Sequence, residues 1–132
     1  YSISNRNTIT LLTKGEMEMG YHIQHAQLTG TAAADETTTF NILAGRNTPP
    51  ENIMYVHQAS STMDGNELVN ITGKMLGCDT AVTANVHVQL TLTASEVIRL
   101  ELSTEAKGFW QLTVTATELD ADQTLDIWII TW

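Results

Sequence analysis

A second cysteine is missing from this chain: Cys78, in the stretch LGCDTA, stands alone. An intrachain disulfide is therefore excluded, which disfavours a disulfide-stapled secreted scaffold without excluding an extracellular address. A nucleophilic role for Cys78 would need a histidine delivered by the fold, so it reads as a small buried side chain. Basic charge is also scarce. Six Lys and Arg stand against fifteen Asp and Glu, for a formal net charge of −9. Arg6, Lys14, Arg46, Lys74, Arg99 and Lys107 are scattered along the chain. Phosphate backbones are gripped by clustered cations, so nucleic acid and anionic membrane surfaces are not expected partners.

Long apolar runs are absent too. None approaches the roughly 20 residues that cross a bilayer as a helix, so no membrane insertion is expected. There is no glycine-rich phosphate loop, no GxSxG elbow and no Cys/His zinc spacing. No cofactor is expected on that basis. The chain starts at Tyr1 without an apolar leader, and is expected to be processed or excised from something longer. With no internal repeat, low-complexity tract or linker, the 132 residues read as one domain, 1–132, with a polar N-terminal arm over about residues 1–7.

What the chain does have is period two. In NVHVQLTLTASEVIRLELS, Val86, Val88, Leu90 and Leu92 alternate with His87, Gln89, Thr91 and Thr93, and Ile98, Leu100 and Leu102 alternate with Arg99 and Glu101. That is the signature of strands with one buried and one wet face. WQLTVTATEL repeats it, with Trp110, Leu112, Val114 and Ala116 on one side and Gln111, Thr113, Thr115 and Thr117 on the other. Strands are expected near 7–13, 16–28, 37–44, 52–60, 67–76, 82–93, 96–103, 109–118 and 124–131, separated by Gly-, Asp-, Asn- or Pro-rich turns. The expected fold is all-β, an antiparallel β-sandwich of about eight or nine strands, with the jelly roll among its arrangements. MDGN at 63–66 carries the Asp-Gly pair of a tight hairpin. One local dissent is TPPENIMYVHQA. Thr48, Pro49 and Glu51 imitate a capping box that would open a short helix, whereas Ile53, Tyr55 and Val56 favour a strand.

EMEMGYHIQHAQL, residues 16–28, raises the question of a metal site. As a strand it puts Met17, Met19, Tyr21, Ile23 and His25 on one face and Glu16, Glu18, His22 and Gln24 on the other. The two histidines then point opposite ways, and His57 and His87 lie on other strands. A metal-dependent, cupin-like enzyme would need the fold to gather them, so it is the remote reading. The plain reading makes Met17, Met19, Tyr21 and Ile23 core and His22 part of a solvated row, unless a bulge near Gly20 shifts the phase. ELDADQTLD offers Glu118, Asp120, Asp122 and Asp126 as weak calcium candidates, without the glycine and terminal glutamate of an EF-hand loop. A solvated turn is the default. NIT at 70–72 matches a glycosylation acceptor, a three-residue pattern of low specificity.

The anomaly is TLDIWIITW. Leu125, Ile127 and Ile129 form one face, but Trp128, Ile130 and Trp132 fill the other with only Asp126 among them. A second apolar face calls for a cover, which is either the segment YSISNRNTITLL of the same chain or another molecule. The first functional expectation is a non-enzymatic assembly protein, a self-associating subunit of a virion (capsid, decoration, tail or fibre) or of an extracellular filament. Trp128, Ile130 and Trp132 would be its interface anchors and Tyr1 to Asn7 an exchanged or docking arm. The alternative is an extracellular carbohydrate-binding or adhesion module that stacks sugars on Trp128 and Trp132, with Asp126 supplying hydrogen bonds.

Overall fold

A computed structural model describes residues 21–77 and 88–132 of the chain. The expected strand at 7–13, the arm at 1–7, Cys78 and His87 lie outside the described residues. The described residues form β1 (His22–Thr29), β2 (Glu36–Asn41), β3 (Ile53–Ala59), β4 (Leu68–Met75), β5 (Val88–Thr91), β6 (Val97–Glu101), β7 (Phe109–Ala116) and β8 (Thr124–Thr131), with no helix among them. Two antiparallel four-stranded sheets, ordered β1-β8-β3-β6 and β2-β7-β4-β5, pack together as an all-β sandwich.

Those orders have a simple origin. The chain behaves as one long ribbon in which β1 pairs with β8, β2 with β7, β3 with β6 and β4 with β5. Rolling that ribbon places its successive rungs in alternate sheets and brings β8 beside β3 and β7 beside β4. Among the described residues the result is an eight-stranded jelly roll. Its core is built from the inward phase of each strand. Ile53, Tyr55, Ile71, Leu112, Val114, Leu125, Ile127 and Ile129 are essentially inaccessible to water.

The structure decides between the two readings of TPPENIMYVHQA and changes three expectations. At 48–56 the strand wins: Ile53–Ala59 pairs on both sides, with β6 and β8, which a helix could not supply. MDGN does not close a hairpin, because β3 and β4 belong to different sheets. Gly65 does adopt the positive dihedral (φ 89) and Asp64 Oδ1 accepts the Asn66 N–H, so the turn chemistry is local while pairing is decided by the roll. Between β4 and β7 the register jumps at Lys74 and Met75 of β4, whose partners are Gln111 and Phe109 of β7. Trp110 is the extra residue of this bulge, and Phe109 takes the buried place that simple alternation assigns to it.

The third change concerns β1. Its inward phase is His22, Gln24, Ala26 and Leu28, while Tyr21 and Ile23 are 58% and 62% exposed. The apolar residues of GYHIQ face out. The reason lies in neighbouring segments of the same chain: Gln24 donates to the Asn41 carbonyl at 2.9 Å, and His22 sits against Gly45, so the polar phase has partners. Met17 and Met19 lie outside the described residues.

Candidate interaction surface

The two sheets present different outer faces. On β2-β7-β4-β5 the outward rows are polar: Thr37 meets Thr115, Thr39 meets Thr113, and Gln89 donates to Asn70 across the strands. Such a face is at ease in water. On β1-β8-β3-β6 the register builds the opposite. Ile23, Ile130, Met54 and Glu101 form one transverse row, and His25, Trp128, Val56 and Arg99 form the next. Gln27, Asp126, Gln58 and Val97 form a third row, so the apolar block is bordered by polar groups along β6 and below Trp128.

Trp128, Ile130 and Trp132 thus share the outer face of β8, each half-buried, while Leu125, Ile127 and Ile129 are sealed beneath. Asp126 is on the same outer face, where its Oδ1 accepts from Gln27 at 3.2 Å and meets His25 Nε2 at 3.0 Å. The tryptophans are packed by β1. The His25 ring stacks on Trp128 with centroids 4.9 Å apart and planes 26° apart, and Tyr21 lies against Trp132 at 5.3 Å and 30°. These separations are close to the spacing of adjacent strands, about 4.8 Å. The rings therefore stand side by side on the sheet, with one face of each indole already covered, and Val56 opposite Trp128 on the other flank.

Tyr21, Ile23, His25, Met54 and Val56 belong to this surface and were not singled out from sequence. The signal was present in β3, where Ile53 and Tyr55 alternate with Met54 and Val56, making both faces apolar as in β8.

The metal candidates separate. Glu118, Asp120 and Asp122 point to solvent in a turn held by other groups, and Asp126 is up on β8. Gln123, buried, accepts the Asp120 N–H at 2.7 Å and donates to the Thr62 carbonyl at 3.0 Å, and the Thr62 hydroxyl donates to the Asp122 carbonyl. Asp120 instead lies with Asp64 and Glu67, whose ligand atoms come within 4.8 Å of one another. The Asn66 backbone N–H is the main cause holding the Asp64 carboxyl below its ordinary value, and Glu67 accepts the Asp64 N–H. This explains the cluster as a stitched loop.

The histidines separate as well. His22 is half-buried within the electrostatic reach of Arg46, His25 is on the outer face, and His57 is fully buried. Among the described residues no histidine joins a group of three ligating side chains. His57 Nδ1 is 2.7 Å from the Tyr55 hydroxyl, and its Nε2 has no hydrogen-bond partner. Burial pushes the Tyr55 hydroxyl well above its ordinary range and lowers the His57 pKa, an effect Glu96 partly offsets. The His22 pKa is lowered first by burial and then by Arg46.

A pH dependence follows. Both imidazoles have their pKa lowered in the fold, so the unfolded chain binds more protons near and below the ordinary value of 6.5. Stability from these groups is complete above 6.5 and is lost as pH falls through it toward the lower folded values. Denaturant midpoints should drop between pH 7.5 and about pH 5, above the range in which carboxylates such as Asp64 titrate. A midpoint unchanged across that interval would contradict the burial of His22 and His57.

No protein-family model matches the chain, and no curated protein matches it. Among solved structures the chain is similar to one described under the words "Bacillus endospore appendages form a novel family of disulfide-linked pili", at 9% identity, covering 94% of this chain and 96% of that one, with a TM-score of 0.39.

Proposed function

We propose that this protein is a non-enzymatic structural subunit that self-associates through the outer face of the β1-β8-β3-β6 sheet, as a repeating unit of an extracellular filament or a virion. One observation carries the reading: two adjacent outward rows of that sheet gather Ile23, Ile130 and Met54 and then Trp128 and Val56, while the paired outward residues of the other sheet are Thr, Asn and Gln. An exposed apolar patch with a polar border and aromatic residues at its centre has the composition of an interface. The jelly roll is a frequent capsid and lectin architecture, and that is analogy at the level of fold alone.

The carbohydrate reading draws on Asp126, Gln27 and His25 beside Trp128, a polar group next to an aromatic ring. Sugar stacking needs an open ring face, and the pairing of Trp128 with His25 and of Trp132 with Tyr21 favours an assembly surface instead.

Replacing Trp128 and Trp132 together by Asp tests the proposal. Self-association measured by light scattering behind a sizing column should fall by at least about a hundredfold in Kd, since central aromatic anchors carry roughly 2 kcal/mol or more each. The far-ultraviolet signature of the sheet should persist. An assembly that survives this change with unaltered mass and affinity contradicts the surface assignment, and a chain that no longer folds assigns the two indoles to an intrachain core.

A further inference from the structure

Resting on that reading, we propose that the occupant of the apolar face is the same face of a second copy, related by a twofold axis that lies in the contact plane and runs across the strands. The placement comes from the register. The axis passes between the row Ile23, Ile130, Met54, Glu101 and the row His25, Trp128, Val56, Arg99. Turning one face over about that line sets Ile130 against Trp128 of the second copy and Met54 against Val56. On the β6 edge it sets Arg99 against Glu101, and the twofold repeats that pair, so two opposite charges meet twice. One row further out, Trp132 and Tyr21 come over Asp126 and Gln27, placing an indole N–H and a phenol above a carboxylate and an amide.

The alternative axis, along the strands, is worse on chemical grounds. It would lay β1 over β6, pressing Ile23 onto Glu101 and His25 onto Arg99, and bury charge without an opposite partner. The crosswise axis gives each charged group of the border an acceptor or a counter-ion. Among the described residues Arg99 makes no ion pair within its own chain, and both Arg99 and Glu101 are exposed.

The area fits a reversible pair. The four strands are eight, eight, seven and five residues long, and at about 3.3 Å per residue and about 4.8 Å between strands they give a face of about 440 Å². Two such faces bury roughly 900 Å², at the low end where contacts are weak and transient, so the pair is concentration-dependent rather than permanent. Symmetric self-contact of this kind is the commonest solution for soluble homo-oligomers.

Charge exchange tests the arrangement. Arg99→Glu and Glu101→Lys are made separately, and self-association of each, and of their equimolar mixture, is measured by light scattering over a concentration series, with the sheet spectrum as the check on folding. Each variant alone places like charges opposite each other twice and should lose at least about tenfold in affinity. The mixture restores opposite charges at both contacts and should regain wild-type affinity, as a heterodimer. Glu101 also accepts from Ser103 in its own chain, and that contact stays lost in the mixture, so recovery cannot come from it. Single variants that associate like the wild type, or a mixture no better than its components, would overturn the twofold arrangement. If the Trp128 and Trp132 replacement still disrupts association in that case, the face stands and only its partner geometry falls. A wild-type chain that does not associate overturns both.

Discussion

Gly30→Ala should destabilise the fold by about 3 kcal/mol or more, roughly 10 °C in melting temperature for a domain of this size. A Cβ on Gly30 would lie 2.0 Å from the Asp120 carbonyl oxygen and 2.6 Å from the Leu119 carbonyl carbon and oxygen. All three are backbone atoms, so no rotamer change relieves the contact. Here the chain leaving β1 crosses the turn between β7 and β8, and the Gly30 and Ala32 N–H groups donate to the Gln123 and Leu119 carbonyls. To admit a methyl group the two segments must part, which loosens those bonds and the β1–β8 ladder beyond them. Because β1 carries Tyr21, Ile23 and His25, the same change should weaken association as well. A denaturant midpoint within the range of ordinary surface substitutions would contradict the close approach.

Ile129→Ala and Ile130→Ala should have opposite consequences, although the residues are adjacent. Ile129 is wholly buried between the sheets, and truncating it should remove about 2–5 kcal/mol of stability through lost burial and a cavity. Chains still folded under the assay conditions keep the outer face and should associate normally. Ile130 is half-buried on the outer face, paired with Ile23 and Met54 on either side. Its truncation should change stability by about 1 kcal/mol or less in the monomer but weaken association at least about tenfold, as expected at the centre of a contact. Equal losses of stability at the two positions would mean that the outer face is covered within the chain, as the inner one is.

Much of this was legible from residue order, and what was not has identifiable causes. β8 announced both of its faces, because TLDIWIITW has almost no polar residue to mark a wet side. The Thr rows of β7 marked theirs equally well. β1 misled, since hydrophobicity alone assigns Tyr21 and Ile23 to the core, and nothing local reveals that Asn41 and the segment around Gly45 and Arg46 supply partners for the polar phase. MDGN misled for a related reason: a dipeptide fixes the direction of a turn but not which strands later pair. The bulge at Trp110 shifts phase by a single residue that no pattern of alternation contains. The calcium candidates followed proximity in sequence, whereas Asp120 finds its carboxylate neighbours, Asp64 and Glu67, on the connection between β3 and β4. The interaction surface was half visible for the same reason the fold was: one strand can be read alone, but a face is assembled from strands that the roll brings together from both ends of the chain.

The native mass of the unmodified chain in solution, measured over a concentration series, bears most directly on the central claim that the outer face of the β1-β8-β3-β6 sheet is a contact surface. The expected result is a mass that climbs from the 14.5 kDa of one chain to twice that or more as concentration rises. A constant mass of 14.5 kDa at every concentration would contradict self-association through this face.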